Sequence, residues 1–303
     1  MFLFCNSVII VDIMNTQQIG ILADYFILAP GGNLFLAELE RAACSVVPLP
    51  DVRSDGAGSY WWIAVHDESG TVLAVDSLFS RLLQTSVCEG GFSTERFPWP
   101  LKGRKAQSAA FVNGKWWFVT CDEWFDEAIA FVEAPNGRIV GPVEPRLVQT
   151  PALPLYGCGS AILPADDHLA LFDSLEGLHW LNDDLEIVDS IPLDGESIVG
   201  PTENGKVAIY EQQGDGFRIS RASLDSGCEE IMRGTTRPWT EEVWAIACLS
   251  NRTTVVMGDD SSVFIWTPES PTFRQVEIDW AQVNVDAIID QVASSIIERA
   301  KKN

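Results

Sequence analysis

Apolar residues along this chain gather into short runs broken by a few polar or turn-forming residues, and the pattern is clearest between residues 108 and 143. There, segments 108–112, 115–120, 127–133 and 138–143 read as four strands. Asn113-Gly114 and Asn136-Gly137 stand at two of the turns, and the acidic stretch 121–126 forms the third. Asn-Gly favours a tight hairpin because both residues tolerate the positive φ of a type I′ turn.

Weaker copies of this unit fill the rest of the chain. Residues 17–50 parse as IGILA, YFILA, NLFLAEL and CSVVPL, and residues 60–75 as YWWIAV, the turn Asp67-Glu68-Ser69-Gly70 and TVLAV, closing near 82–87. Further copies span 160–191, 197–232 and 243–278. The stretch 115–123, KWWFVTCDE, matches 60–68, YWWIAVHDE, in its Trp-Trp pair and its Asp-Glu, which makes it the strongest internal repeat on this reading. Six copies at intervals of about 40 to 50 residues have the period of four-stranded β-propeller blades.

A β-sandwich with as many strands would alternate apolar and polar residues, because one face of each sheet meets water. YWWIAV, KWWFV, HLALF, KVAIY and TTVVM, taken as the second strands of their units, are instead nearly continuous apolar runs. Successive side chains point to opposite faces, so Trp61 and Trp62, or Trp116 and Trp117, must both be buried on opposite sides of one sheet. Radially packed blades bury both faces and sandwiches do not. The chain therefore resembles β-propellers as a class across residues 17–279: an all-β fold of six four-stranded blades, without a repeated tryptophan-aspartate or kelch signature. Residues 1–16 form an apolar N-terminal segment or extra strand. In 280–303 the period changes, and Ile288, Ile289, Val292, Ile296 and Ile297 make the stripe of an amphipathic C-terminal helix.

Charge narrows the choice of partner. Against 43 Asp+Glu stand 20 Lys+Arg, a formal charge of −23 over 303 residues, which repels nucleic-acid phosphate and anionic lipid and attracts cationic surfaces. The expected partner is a basic protein surface, with no nucleic acid and no membrane. Seven cysteines without a C-x-x-C pair fit reduced thiols in a cytoplasm. The N-terminus lacks a basic n-region, and no run approaches the ~18 apolar residues of a membrane span. Most of the 11 Trp are assigned to packing between blades.

Motifs of chemistry are sparse. Gly200 to Lys206 matches G-x-x-x-x-G-K, but Val207 replaces the magnesium-binding hydroxyl and a strand follows instead of a helix, so the segment reads as a hairpin turn. Phe172 to Trp180 faintly resembles the Asp-box of sialidase-like propellers, one residue short. His66, His168 and His179 form no metal-ligand spacing, and no cofactor is expected.

Repeat geometry gathers scattered acids. Turns between second and third strands share one face of a propeller, and five carry carboxylates: Asp67 and Glu68; Asp122, Glu123 and Asp126; Asp173 and Glu176; Glu211 and Asp215; Asp259 and Asp260. Trp124 and Phe125 stand among them as candidate apolar anchors. This acidic ring leads to the expectation of a cytoplasmic binding module, monomeric or dimerised through its helix, in the manner of an immunity or inhibitor protein neutralising a cationic toxin or enzyme. The alternative is a propeller hydrolase or lactonase with a metal or His/carboxylate site at the central channel.

Overall fold

The computed structural model describes residues 19–22, 25–28, 35–38, 45–48, 62–76, 80–88, 91–124, 126–148, 153, 155, 160–193, 196–239, 242–258 and 262–276. The N-terminal segment 1–16 and the expected helix in 280–303 lie outside these residues.

Six four-stranded antiparallel sheets make up the described structure, each from one contiguous stretch of chain and each ordered first to fourth strand. Blade 1 comprises β1 (Ile19–Leu22), β2 (Tyr25–Leu28), β3 (Phe35–Glu38) and β4 (Ser45–Pro48). Blade 2 comprises β5 (Trp62–His66), β6 (Thr71–Asp76), β7 (Arg81–Cys88) and β8 (Gly91–Pro98). Blade 3 comprises β9 (Arg104–Val112), β10 (Lys115–Asp122), β11 (Glu127–Glu133) and β12 (Arg146–Val148). Blade 4 comprises β13 (Ala161–Ala165), β14 (His168–Asp173), β15 (Gly177–Leu181) and β16 (Ile187–Ile191). Blade 5 comprises β17 (Ile198–Pro201), β18 (Val207–Gln213), β19 (Gly216–Ser223) and β20 (Gly227–Gly234). Blade 6 comprises β21 (Val243–Cys248), β22 (Thr254–Gly258), β23 (Val263–Trp266) and β24 (Arg274–Val276). The first strand of each blade touches the first strand of the next, and β21 touches β1, so the six inner strands close a ring. This is a β-propeller.

Two-sided burial explains the continuous apolar runs. On β10, Trp116 and Phe118 join one buried cluster with blades 2, 4 and 5, while Trp117 and Val119 join another with Ile162, Leu171 and Leu181 of blade 4. On β18, Val207 and Ile209 face one side, and Ala208 and Tyr210 pack against Ile246 and Val256 of blade 6. The period-2 rule thus sends alternate residues into two different seams. Tryptophan indoles also tie seams by hydrogen bonds, Trp62 Nε1 donating to the Ala109 carbonyl at 2.8 Å. The Asn113-Gly114 turn takes the conformation its sequence demands, with φ of 51° and 73°.

Two expectations are corrected here. The Trp-Trp repeat is out of phase: KWWFV is a second strand, β10, but WIAVH is β5, the first strand of its blade. Both runs are buried on two faces, and burial rather than strand position made them look alike. Blade 2 accordingly gains a fourth strand, β8, beyond the expected close at 82–87. In blade 3 the expected last strand, 138–143, is irregular, and the edge is β12 further on. Gln84, buried on β7, holds that irregular backbone by bonding both the N–H and the carbonyl of Ile139.

Candidate functional site

In a four-stranded antiparallel blade, the turns joining second to third strands lie at the opposite end from those joining first to second. The β10–β11 and β14–β15 turns of blades 3 and 4 therefore share one face of the disc, and they share a local construction too. Asp122 ends β10, and its Oδ1 accepts the backbone N–H of Trp124 at 2.8 Å and of Asp126 at 3.0 Å. Asp173 ends β14, and its Oδ1 accepts the N–H of Leu175 at 2.8 Å and of Glu176 at 3.1 Å. Aspartate folds its turn by satisfying backbone donors two residues on. Each turn consequently lifts a large apolar side chain into water: Trp124 is 81% exposed and Leu175 71%.

The two turns are joined beneath. Glu127, at the start of β11, accepts the Ser160 N–H on Oε1 at 3.3 Å, and Ser160 Oγ donates to Asp173 Oδ2 at 3.2 Å. All three residues are buried. Arg104, entering β9, pairs with Asp126 and stands 4.0 Å from Asp122. Backbone hydrogen bonding from Asp126, then that from Trp124 and the Arg104 charge, hold the Asp122 carboxyl below the usual range against some desolvation. On blade 4, His179 is buried with Nδ1 2.8 Å from Ser190 Oγ and Nε2 4.0 Å from Glu176. Burial lowers its pKa, despite Glu176 and Asp173, and so favours the neutral ring.

The acids of the expected ring divide. Asp122, Glu123, Trp124, Asp126, Asp173 and Glu176 come together on blades 3 and 4. Asp215 lies on the same face, on the β18–β19 turn of blade 5, where Glu211 pairs with Arg218 and Glu230 with Arg233, as Asp126 does with Arg104 on blade 3. Asp67 and Glu68 sit on the β5–β6 turn, a first-to-second connection, and so occupy the opposite face; the phase error in the Trp-Trp repeat had placed them in the ring. Their neighbour His66 bonds Ser69 through Nδ1 at 2.7 Å, and burial lowers its pKa although Glu68 and Asp67 oppose this. Phe125, Asp259 and Asp260 lie outside the described residues. The Gly200–Lys206 segment spans the end of β17 and the turn to β18.

Glu127, Ser160, Leu175 and Arg104 are not among the site residues expected from the sequence. A signal for Leu175 existed: Asp-Ser-Leu occurs at 76–78 and again at 173–175, each beginning on the last residue of a second strand. That in-phase repeat was masked by the louder, out-of-phase one. Among the described residues, no three His, Cys, Asp or Glu converge to hold a metal ion, and no helix is long and apolar enough to cross a membrane.

No family model and no curated protein matches the sequence. Solved structures do match in shape. Hydrazine synthase from Kuenenia stuttgartiensis is similar at a TM-score of 0.52 and 9% identity, over 99% of this chain and 85% of that one. A provisional 6-phosphogluconolactonase from Bacteroides uniformis is similar at 0.48 and 12% identity, over 84% and 80%. A protein of unknown function from Desulfotomaculum acetoxidans is similar at 0.46 and 9%, over 84% and 79%. At such identities the likeness concerns the fold alone, and the six closed sheets described above make that fold a β-propeller.

Proposed function

We propose that this propeller is a protein-binding module whose acidic face, centred on blades 3 and 4, engages a basic protein surface. One observation carries the reading: adjacent blades present the same Asp-organised turn, each with an exposed large apolar residue set among carboxylates. Exposed apolar side chains on fixed turns can supply affinity when desolvated, and the surrounding acids speed association with a cationic partner. Rigid turns lower the ordering cost of binding. A cationic toxin or enzyme neutralised by this face is the concrete form we favour.

The test is affinity capture with tagged protein at low salt and at ~0.5 M salt, where the Debye length falls to a few ångströms. Wild type should retain a basic protein at low salt and lose it at high salt, and Glu123→Lys with Glu176→Lys should lose it at both. Equal capture by wild type and the double variant at low salt would refute the reading.

A further inference from the structure

We infer that Ser190, on the outermost strand of blade 4, is a nucleophile toward small acyl esters, with His179 as its general base and Glu176 as the residue that positions His179. The strand register brings the first two together. His179 on β15 stands directly across the ladder from Ser190 on β16, and directly opposed side chains are close enough to bond. Ser190 Oγ lies 2.8 Å from His179 Nδ1, and Glu176 Oε2 lies 4.0 Å from Nε2 on the other side of the ring.

The surroundings choose the tautomer. His179 is 4% exposed, and its Nε2 is buried without a hydrogen-bond partner beside the Glu176 carboxylate. A proton on Nε2 turns a positive N–H toward that carboxylate, whereas a lone pair there would meet negative charge. The lone pair therefore sits on Nδ1, where it accepts the Ser190 O–H. Burial keeps the ring neutral against the pull of Glu176 and Asp173, and a general base must be neutral to act. Ser190 is exposed, and among the described residues its Oγ has no other hydrogen-bond partner.

Blade 2 holds the same three residue types without this freedom. His66 Nδ1 lies 2.7 Å from Ser69 Oγ and Nε2 3.9 Å from Glu68, but the Ser69 hydroxyl donates to Thr71 Oγ1 at 2.8 Å and is half-buried against Gly137 of blade 3. Its proton is already placed, so Ser69 serves as an internal control.

On attack, Ser190 Oγ bonds to the ester carbonyl carbon while its proton passes to His179 Nδ1. The adduct expels the alcohol or phenol, which takes the proton from Nδ1, and water repeats the sequence to release the acid and restore the serine. Ile187 and Val188 expose apolar surface on the same strand, Asp183, Asp184 and Glu186 precede them, and Asp189 adjoins Ser190. Neutral esters with an apolar acyl group fit that setting, and anionic ones are repelled.

The experiment treats the full chain with an alkyl fluorophosphonate, whose phosphorus takes the serine oxygen as fluoride leaves with the proton, and locates the adduct by mass spectrometry. Ser190 should be labelled and Ser69 should not. Ser190→Ala, an exposed change that keeps the fold, should abolish the adduct, and His179→Gln should slow its formation about 100-fold, with a urea unfolding curve as the check on folding. Glu176→Gln should move the acid limb of labelling to lower pH, because one of the two carboxylates that hold the His179 pKa up is gone while Asp173 remains. No adduct at Ser190, or one formed at an equal rate in folded His179→Gln, would overturn the assignment. An unmoved acid limb would overturn the role of Glu176.

Discussion

Gln84 and Ile139 form a closed pair across the seam between blades 2 and 3: the amide oxygen accepts the Ile139 N–H at 2.7 Å, and the amide nitrogen donates to the Ile139 carbonyl at 3.2 Å. A side-chain amide here does the work of a neighbouring strand. It lets segment 138–143 leave the sheet without stranding a buried donor and acceptor. Gln84→Leu removes both partners at once, and we expect a loss on the order of 3 kcal/mol, read by urea unfolding. A loss below about 1 kcal/mol would mean that water replaces the amide.

Trp124 contributes little to folding. The residue is 81% exposed, so Trp124→Ala should leave stability within about 0.5 kcal/mol of wild type by chemical denaturation. Trp116, buried in a seam, should cost about 3–5 kcal/mol on the same change. Comparable losses for the two would show that Trp124 packs against the fold.

Gly137 is constrained twice. Its φ is +72°, and a Cβ would come within 1.9 Å of His66 Nδ1 and 2.5 Å of Ser69 Oγ on the neighbouring blade. Gly137→Ala should therefore cost more than about 2 kcal/mol. Because the nearest clash is with a side chain, His66→Ala in the same molecule should recover part of that loss, leaving the Ser69 contact and the backbone strain. Strict additivity of the two changes would exclude the contact.

Acid should weaken the fold through its histidines. Burial depresses the folded pKa of both His66 and His179 below the ordinary value of 6.5. As pH falls through that value, the unfolded chain takes up protons before the folded one. Their contribution is fully present above about pH 7 and is lost as pH drops through the folded values. The melting temperature should decline on that descent, and His179→Gln should flatten the decline. An unchanged pH profile in His179→Gln would remove His179 as a contributor.

Asp173 has two linked roles. It anchors Ser160 from below and the Leu175 turn from above. Asp173→Ala should cost on the order of 2–3 kcal/mol, because a buried hydroxyl and two turn N–H groups lose their acceptor. It should also weaken low-salt capture of the basic partner more than Glu123→Ala does, since it frees a whole turn and not one rim charge. The comparison is made by affinity capture with both variants at low salt.

The sequence carried the fold for a local reason. Strands in β-hairpins are joined by neighbours in the chain, and turn residues such as Asn113-Gly114 declare themselves by conformational need, so blades 1, 4, 5 and 6 could be parsed strand by strand. Continuous apolar runs marked two-sided burial, which the propeller requires. Phase was harder to read. Trp62 on β5 and Trp116 on β10 meet similar surroundings at different positions in their blades, and hydrophobicity reports the surroundings. From that one ambiguity came the misplacement of Asp67 and Glu68.

Other features belonged to tertiary structure alone. Nothing in the chain announces that Gln84 would substitute for a strand, because polar residues within strands usually face water. Nor does separation in sequence hint that Glu127, Ser160 and Asp173 meet, since blades pack through faces whose register is set by the closing of the ring. By itself the sequence determined which segments pair locally and that the surface would be acidic, through short-range backbone preference and composition. Only the tertiary structure decided which acids share a face and which apolar side chains stay exposed, because those depend on the packing of blades distant along the chain.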